Sequence, residues 1–438
     1  MYVCLRGFVL TMSARRELVK DGLVVVDDSG GKIVAVDVYE NRSRYLCDKV
    51  YGGAGFIVLP GFINTHTHVP MIILQGVGAG LTGFDWLKTI WLVESRLKPR
   101  HVYSASKLAI ALLLENGVTT FADHYFYEEE VARAVEEMGV RAVLAKTVIE
   151  LSDYAPRHTL EDSVNFAIKY SGAVGGRISC MIGVHALYSC TLETLEKAVD
   201  YSKSTGLRIH MHFAESLHEV EYVAKNYSTT STKLAERVGI LQLNPLLAHA
   251  VYLSDEDPEV LAKYKPCIAY SPFTIMSWGQ GIARVREMLD RGVTVSIATD
   301  GPVTDGDFSM FKQIKIALAA QSSRYQTPHA VTSRELLRMA TIDAAKCLGI
   351  DHLVGSIEPG KYADIVVLKP NKTRLVGLHD DPYSTVVMNI DAGSVYMTMV
   401  NGKILYHAGV FKTIDIESAY KEVVDERKRL LEGVENLK

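Results

Sequence analysis

Two histidines one residue apart, His66 and His68, close the apolar run Phe56-Ile57-Val58-Leu59-Pro60-Gly61-Phe62-Ile63-Asn64. Successive side chains on a strand alternate faces, so residues i and i+2 point the same way, and two imidazoles at that spacing can hold one divalent metal. In a chain with 14 histidines such a pair also arises by chance. Recurrence gives it weight. Ligand-type residues end further apolar runs at Arg208-Ile209-His210-Met211-His212-Phe213-Ala214-Glu215, at Leu246-Leu247-Ala248-His249, and at Val293-Thr294-Val295-Ser296-Ile297-Ala298-Thr299-Asp300. Core packing gives no reason for such side chains to gather at strand ends. Three imidazoles and one carboxylate suit Zn2+, with Fe2+ as the alternative, and leave a position open for water. An ion held that way lowers the pKa of a water molecule enough for hydrolysis at neutral pH.

Positioning those residues takes a scaffold that brings many strand ends to one place. From about residue 56 to 350, short β-branched runs alternate with helical patterns, the signature of βα units and a parallel sheet. The runs fall at 56–66, 118–124, 141–148, 178–185, 207–213, 246–251, 267–271 and 293–299, eight in all, which suits a closed (β/α)8 barrel. Between them, Glu128–Met138, Leu192–Ser204 and Ile282–Arg291 carry apolar residues at three-to-four spacing. A helix over 332–348 opens on a capping-box pattern, Thr332-Ser333-Arg334-Glu335. Active sites of such barrels lie at the C-terminal strand ends, so His66, His68, His185, His212, Glu215, His249 and Asp300 would share one mouth. The flanks read differently. Residues 1–55 and 356–412 hold short alternating Val, Ile and Tyr runs with turns such as Asn401-Gly402, and are expected to build one small β-sandwich domain from both chain ends, beside a barrel spanning 56–355. Residues 413–438 end the chain in a charged helix, read as a solvated surface element.

Composition narrows the class. The 438 residues carry 47 Lys plus Arg against 51 Asp plus Glu, a net charge of −4, with no basic run interleaved with aromatics, so nucleic acid is not an expected partner. Six scattered cysteines read as reduced thiols. No basic leader with an apolar core opens the sequence and no apolar run reaches about 18 residues, so a cytoplasmic, non-membrane protein is expected.

Together, Pro60–His68, Gly117-Val118-Thr119-Thr120-Phe121-Ala122-Asp123, His210–Glu215, Ala298–Gly301 and Gly355–Asp364 resemble the amidohydrolase superfamily, in its branch of S-adenosylhomocysteine and 5'-methylthioadenosine deaminases and chlorohydrolases. The resemblance implies one metal per chain on His66, His68, His212 and Asp300. It implies that Asp300 also takes a proton from the attacking water, that Glu215 passes it to a ring nitrogen, and that His249 orients the nucleophile. It implies substrate contacts from Trp86, Glu94 and His185, release of ammonia from a 5'-modified adenosine to leave the inosine analogue, and self-association. His124, His210 and His218 are expected to be structural or at the surface.

The chain also departs from that pattern. The spacing from Trp86 to Glu94 is one residue shorter, Lys146 stands where the family has an arginine, and Arg157 is the candidate for a second pocket cation. Thr304, in the altered loop after Asp300, is a further candidate contact. These changes lie at the substrate end. They leave open a guanine, 8-oxoguanine, pterin or s-triazine substrate, and a non-catalytic scaffold as a more distant reading.

Overall fold

The structure is a computed structural model that describes residues 1–14 and 18–433. In chain order its strands begin with β1 (Tyr2–Leu10), β2 (Leu18–Asp27), β3 (Ile33–Val38), β4 (Cys47–Pro60), β5 (Phe62–Thr67), β6 (Val118–Tyr125) and β7 (Arg141–Val148). They continue with β8 (Ile178–Cys180), β9 (Ile182–Val184), β10 (Ile209–Phe213), β11 (Leu246–His249), β12 (Cys267–Tyr270) and β13 (Thr294–Ile297). The last four are β14 (Ile365–Leu368), β15 (Val395–Val400), β16 (Lys403–His407) and β17 (Val410–Phe411).

β5, β6, β7, β9, β10, β11, β12 and β13 pair in parallel, in that order, as a barrel. Every residue of β6 is buried, as expected for a strand covered on both faces by barrel side chains and helices. Short side-chain bonds close the seam between β5 and β13. The amide of Asn64 donates to Thr299 Oγ1 (2.7 Å) and its carbonyl accepts from the Thr299 N–H (3.0 Å), while the Asp300 N–H donates to the His66 carbonyl (3.0 Å). His66 and Asp300 are thereby fixed side by side. The surrounding helices follow their apolar stripes. Glu128–Met138, for example, buries Val131, Ala132, Val135 and Met138 and stops at Gly139, whose φ of 84° is the left-handed conformation of a helix end.

The chain-end strands form one eight-stranded sheet in the order β17, β16, β15, β14, β4, β1, β2, β3. Its centre pairs β4 with β14 across the entire barrel insertion, Pro60 opposite Ile365. A buried ion pair, Arg141 Nε to Asp364 Oδ2 at 3.0 Å, ties the base of β7 to this sheet.

Several expectations need correction. The run 56–66 is two strands: β4 ends in the chain-end sheet and β5 begins the barrel, with Gly61 at the crossing. A Cβ on Gly61 would lie 2.1 Å from the Thr119 side chain, so the chain can change sheets there only without one. The fourth run is broken at Met181 into β8 and β9. The stretch 332–348 is two helices, Ser333–Met339 under the expected Thr332 capping box and Ile342–Leu348. The cysteines are not all reduced: parallel pairing of β1 with β4 brings Cys4 and Cys47 to a Cα separation of 5.8 Å in a disulfide, which a separation of 43 residues hid in the sequence. Cys180, Cys190, Cys267 and Cys347 are free and buried. The C-terminal helix, Ile416–Leu431, is docked rather than merely solvated. Its Ala419, Val423, Glu426 and Leu430 are buried, Arg100 pairs with Glu426 at 3.0 Å, and Arg427 donates to the carbonyl of Ile73. No described helix is long and apolar enough to cross a membrane.

Candidate active site

His66 lies near the end of β5 and His68 just beyond it, His212 is the penultimate residue of β10, His249 ends β11, and Asp300 follows β13. All are buried. The donor atoms of His66, His68 and Asp300 lie within 4.8 Å of one another, and so do those of His66, His212 and His249. Asp300 Oδ1 is 3.3 Å from His68 Nε2 and 3.7 Å from His66 Nε2, and His212 Nε2 is 3.3 Å from His68 Nε2.

The far ring nitrogens explain this orientation. His68 Nδ1–H donates to the His124 carbonyl (2.7 Å) and His212 Nδ1–H to the His185 carbonyl (2.9 Å), which leaves each Nε2 lone pair aimed at the common point. His66 Nδ1 bonds His210 Nε2 at 2.8 Å, and His66 Nε2 is buried with no hydrogen-bond partner. Burial, followed by the neighbouring imidazoles, lowers the pKa of His66 and His212 well below the ordinary value, so both are neutral ligands at physiological pH. Burial also works against ionisation of Asp300, but His68 and His249 outweigh it and keep the acid a carboxylate. Lone pairs and a carboxylate crowded around one buried point repel one another unless a cation sits among them. The donor set therefore fits a divalent metal.

Glu215 stands two residues beyond β10, its Oε1 3.8 Å from His249 Nε2. Burial, then the charges of Asp300 and Glu219, push its carboxyl up to about 8, so it holds a proton at neutral pH. Burial brings His249 down to about 4, and neither of its ring nitrogens has a hydrogen-bond partner. Three residues at or beside these positions carry backbone strain. Ala214 (φ 46°), His249 (φ 81°) and Asp300 (φ 69°) are non-glycine residues in the left-handed region, a cost a folded protein bears where geometry is fixed by its surroundings.

A cavity opens from this cluster toward solvent. Glu94 lines it, buried, and accepts a hydrogen bond from Tyr125 Oη at 2.6 Å; burial raises its carboxyl to about 7 against that bond. Trp86 lines it too, its ring packed 4.5 Å from that of Trp278. His185, its Nδ1 2.8 Å from Ser189 Oγ, and Thr304, whose hydroxyl donates to the Gly301 carbonyl at 2.9 Å, complete the expected contacts found there. Lys146 and Arg157 are not among the lining residues. Lys146 pairs with Glu129 at 2.8 Å, and Arg157 lies exposed beside Asp153. No lysine or arginine lines the cavity among the described residues.

Three histidines expected to be structural or at the surface border this region. His210 supports His66 from behind, His124 lines the cavity, and His218 lies at its exposed mouth 5.3 Å from the ring of Phe84. The signal for His210 is present in the sequence: two residues before His212 on one strand, it faces the same barrel interior one layer deeper.

Comparison with known proteins agrees with this geometry. The sequence profile described as "Amidohydrolase family" matches residues 57–405. The chain belongs to the amidohydrolase family. This amidohydrolase is 34% identical, over 88% of its length and 89% of the relative's, to a 5-methylthioadenosine/S-adenosylhomocysteine deaminase of Caldanaerobacter subterraneus subsp. tengcongensis. It is 35% identical, over 95% of both chains, to a 5'-deoxyadenosine deaminase of Methanosarcina acetivorans. A crystal structure of an adenosine deaminase from Xanthomonas campestris with bound zinc superposes at a TM-score of 0.91, covering 98% of each chain at 23% identity. A zinc complex of atrazine chlorohydrolase from Arthrobacter aurescens superposes at 0.87, covering 98% of this chain and all of the other at 24% identity. At that identity the last two show the shared fold. As an amidohydrolase, the protein is a metal-dependent hydrolytic enzyme.

Proposed function

We infer that this amidohydrolase removes the 6-amino group of a 5'-modified adenosine, such as 5'-deoxyadenosine, 5'-methylthioadenosine or S-adenosylhomocysteine, and releases the inosine analogue and ammonia. One observation carries the reading: a half-buried, proton-bearing Glu215 stands three residues beyond His212, facing Asp300 and His249. Removing an amino group from an aromatic ring requires a proton on the ring nitrogen next to the carbon under attack, and a protonated carboxyl in a cavity wall supplies it.

His66, His68, His212 and Asp300 would hold the metal, Zn2+ in this proposal with Fe2+ as the alternative, and His249 lies close enough to share it. When bound, the ion supplies Lewis-acid activation of water at neutral pH. The residues do the rest. Asp300, ionised and held by the Gly301 N–H at 2.8 Å, accepts a proton from the attacking water. Glu215 donates to the ring nitrogen, and His249 keeps the incoming oxygen in line with the reacting carbon. The amine leaves as ammonia after a second proton transfer from the same pair of carboxyls. Among the lining residues, Glu94 would accept hydrogen bonds from ribose hydroxyls, with Trp86 and His185 flanking the nucleoside. A cytoplasmic homo-oligomer is part of the same proposal, testable by fractionation and by light scattering.

The discriminating experiment is ammonia release across 5'-deoxyadenosine, 5'-methylthioadenosine, S-adenosylhomocysteine, adenosine, guanine, a pterin and a chlorotriazine. A 5'-modified adenosine is expected to have the highest kcat/KM. A free purine, pterin or triazine outpacing every adenosine derivative would overturn the assignment.

A further inference from the structure

Between β10 and the helix Leu217–Tyr227 the chain makes a three-residue turn, Ala214-Glu215-Ser216, that carries the proton-donating Glu215. Ala214, fully buried, sits in the left-handed region with φ 46°, a conformation costly for a residue with a Cβ. Its carbonyl accepts from the N–H groups of Val251 (3.0 Å) and Tyr252 (2.9 Å), just beyond His249, so the turn also anchors the segment that follows β11. The N–H groups of Ala214 and Glu215 point the other way and meet one side chain. Glu219 Oε1 accepts from Ala214 at 2.8 Å and Oε2 from Glu215 at 3.3 Å. Glu219 is itself fully buried, its own N–H bonded to Ser216 Oγ at 3.3 Å as the helix begins.

We propose that Glu219 is the positioning residue for the proton-donating Glu215, its two carboxylate oxygens clamping the strained Ala214–Glu215 backbone so that the Glu215 side chain faces His249 and Asp300. The inference rests on the acid role given to Glu215 above. A buried backbone N–H needs a partner, and two adjacent ones in a left-handed turn leave little choice of acceptor. A carboxylate meets both at once. A glutamine cannot, because its amide offers one acceptor oxygen and turns two donors toward the second N–H. Burial raises the Glu219 carboxyl itself to about 7, and its ionised form adds to the forces that keep Glu215 protonated, after burial and Asp300.

The test is a double-mutant cycle between Glu219→Gln and Glu215→Gln, read by kcat, KM and metal content. Alone, Glu219→Gln is expected to lower kcat by about 10- to 100-fold, the scale set by a misplacement of roughly an ångström in a catalytic group. KM should stay within about three-fold and the metal at full occupancy. In the Glu215→Gln background the same change should cost less than about three-fold more, because an acid already removed cannot be misaimed. A role confined to stability would instead lower both backgrounds equally. Losses that multiply in the double variant, a Glu219→Gln enzyme as fast as wild type, or a loss explained by missing metal would each overturn the proposal. Should Glu219→Gln not fold, Glu219→Asp carries the same cycle, and failure of both to fold would make Glu219 a residue of the fold and sink the positioning role. A Glu215→Gln enzyme near wild-type rate would defeat the acid assignment itself, an outcome distinct from a full Glu215 effect with no Glu219 effect.

Discussion

His66 meets opposite demands at its two nitrogens. Nδ1 is engaged by His210, while Nε2 is sealed from water and has no hydrogen-bond partner. Without that imidazole the remaining donors lose their shared centre, so His66→Ala should lose nearly all bound metal by elemental analysis, and activity with it. Wild-type protein should carry one equivalent, and two would overturn the single-ion site. Protonation gives a second handle. With Glu215 held at about 8 by burial, Asp300 and Glu219, its proton is present at neutral pH and is lost as pH rises. The kcat profile should therefore fall on its alkaline side with a midpoint near 8, and Glu215→Gln should abolish that limb. A flat alkaline profile would remove Glu215 from the proton path. The ligands His66, His68, His212 and Asp300 are legible in the amino-acid string because period-two alternation and strand-end position are sequence properties. Glu219 is not, because its partners are backbone N–H groups, and a left-handed alanine leaves no mark in the residue order. Lys146 misleads for a related reason: sequence gives it a strand and a charge but cannot show that Glu129 already occupies it.

Elements add a different kind of control. The segment Val69–Leu74 directly follows His68, is buried throughout, and carries the Ile73 carbonyl to which Arg427 of the C-terminal helix donates. Replacing Arg427 with alanine leaves that carbonyl without its charged donor, and should destabilise the protein by about 1–3 kcal/mol. Chemical denaturation reads this directly, and an unchanged midpoint would show the contact to be dispensable. The charge-rich sequence of this helix makes it look solvated, yet its apolar residues recur at Ala419, Val423 and Leu430, spaced by whole turns that mark a buried stripe. Eight barrel strands are readable from alternating β-branched runs. Where one strand ends and another begins is not, since Gly61 sits inside an unbroken apolar stretch and only the Thr119 side chain reveals why the chain must turn there.

Across the whole molecule, barrel and chain-end sheet meet at Arg141 and Asp364, both almost fully buried. Asp364 also accepts from the Asn401 N–H at 2.8 Å. Arg141→Met strands a carboxylate inside the protein, and removal of one partner from a buried pair typically costs about 3–5 kcal/mol. A loss under about 1 kcal/mol in urea denaturation would mean that water reaches the site. The same sheet constrains the order in which the protein can be built. β4 is its central strand on the N-terminal side, and its partner β14 lies about 300 residues further along the chain, Pro60 opposite Ile365. During synthesis β4 must wait with one hydrogen-bonding edge bare while the ribosome makes the whole barrel, and a bare edge is a template for pairing with other chains. Chains halted before residue 365 should therefore be recognised by chaperones and aggregate, even when every metal ligand has already been made.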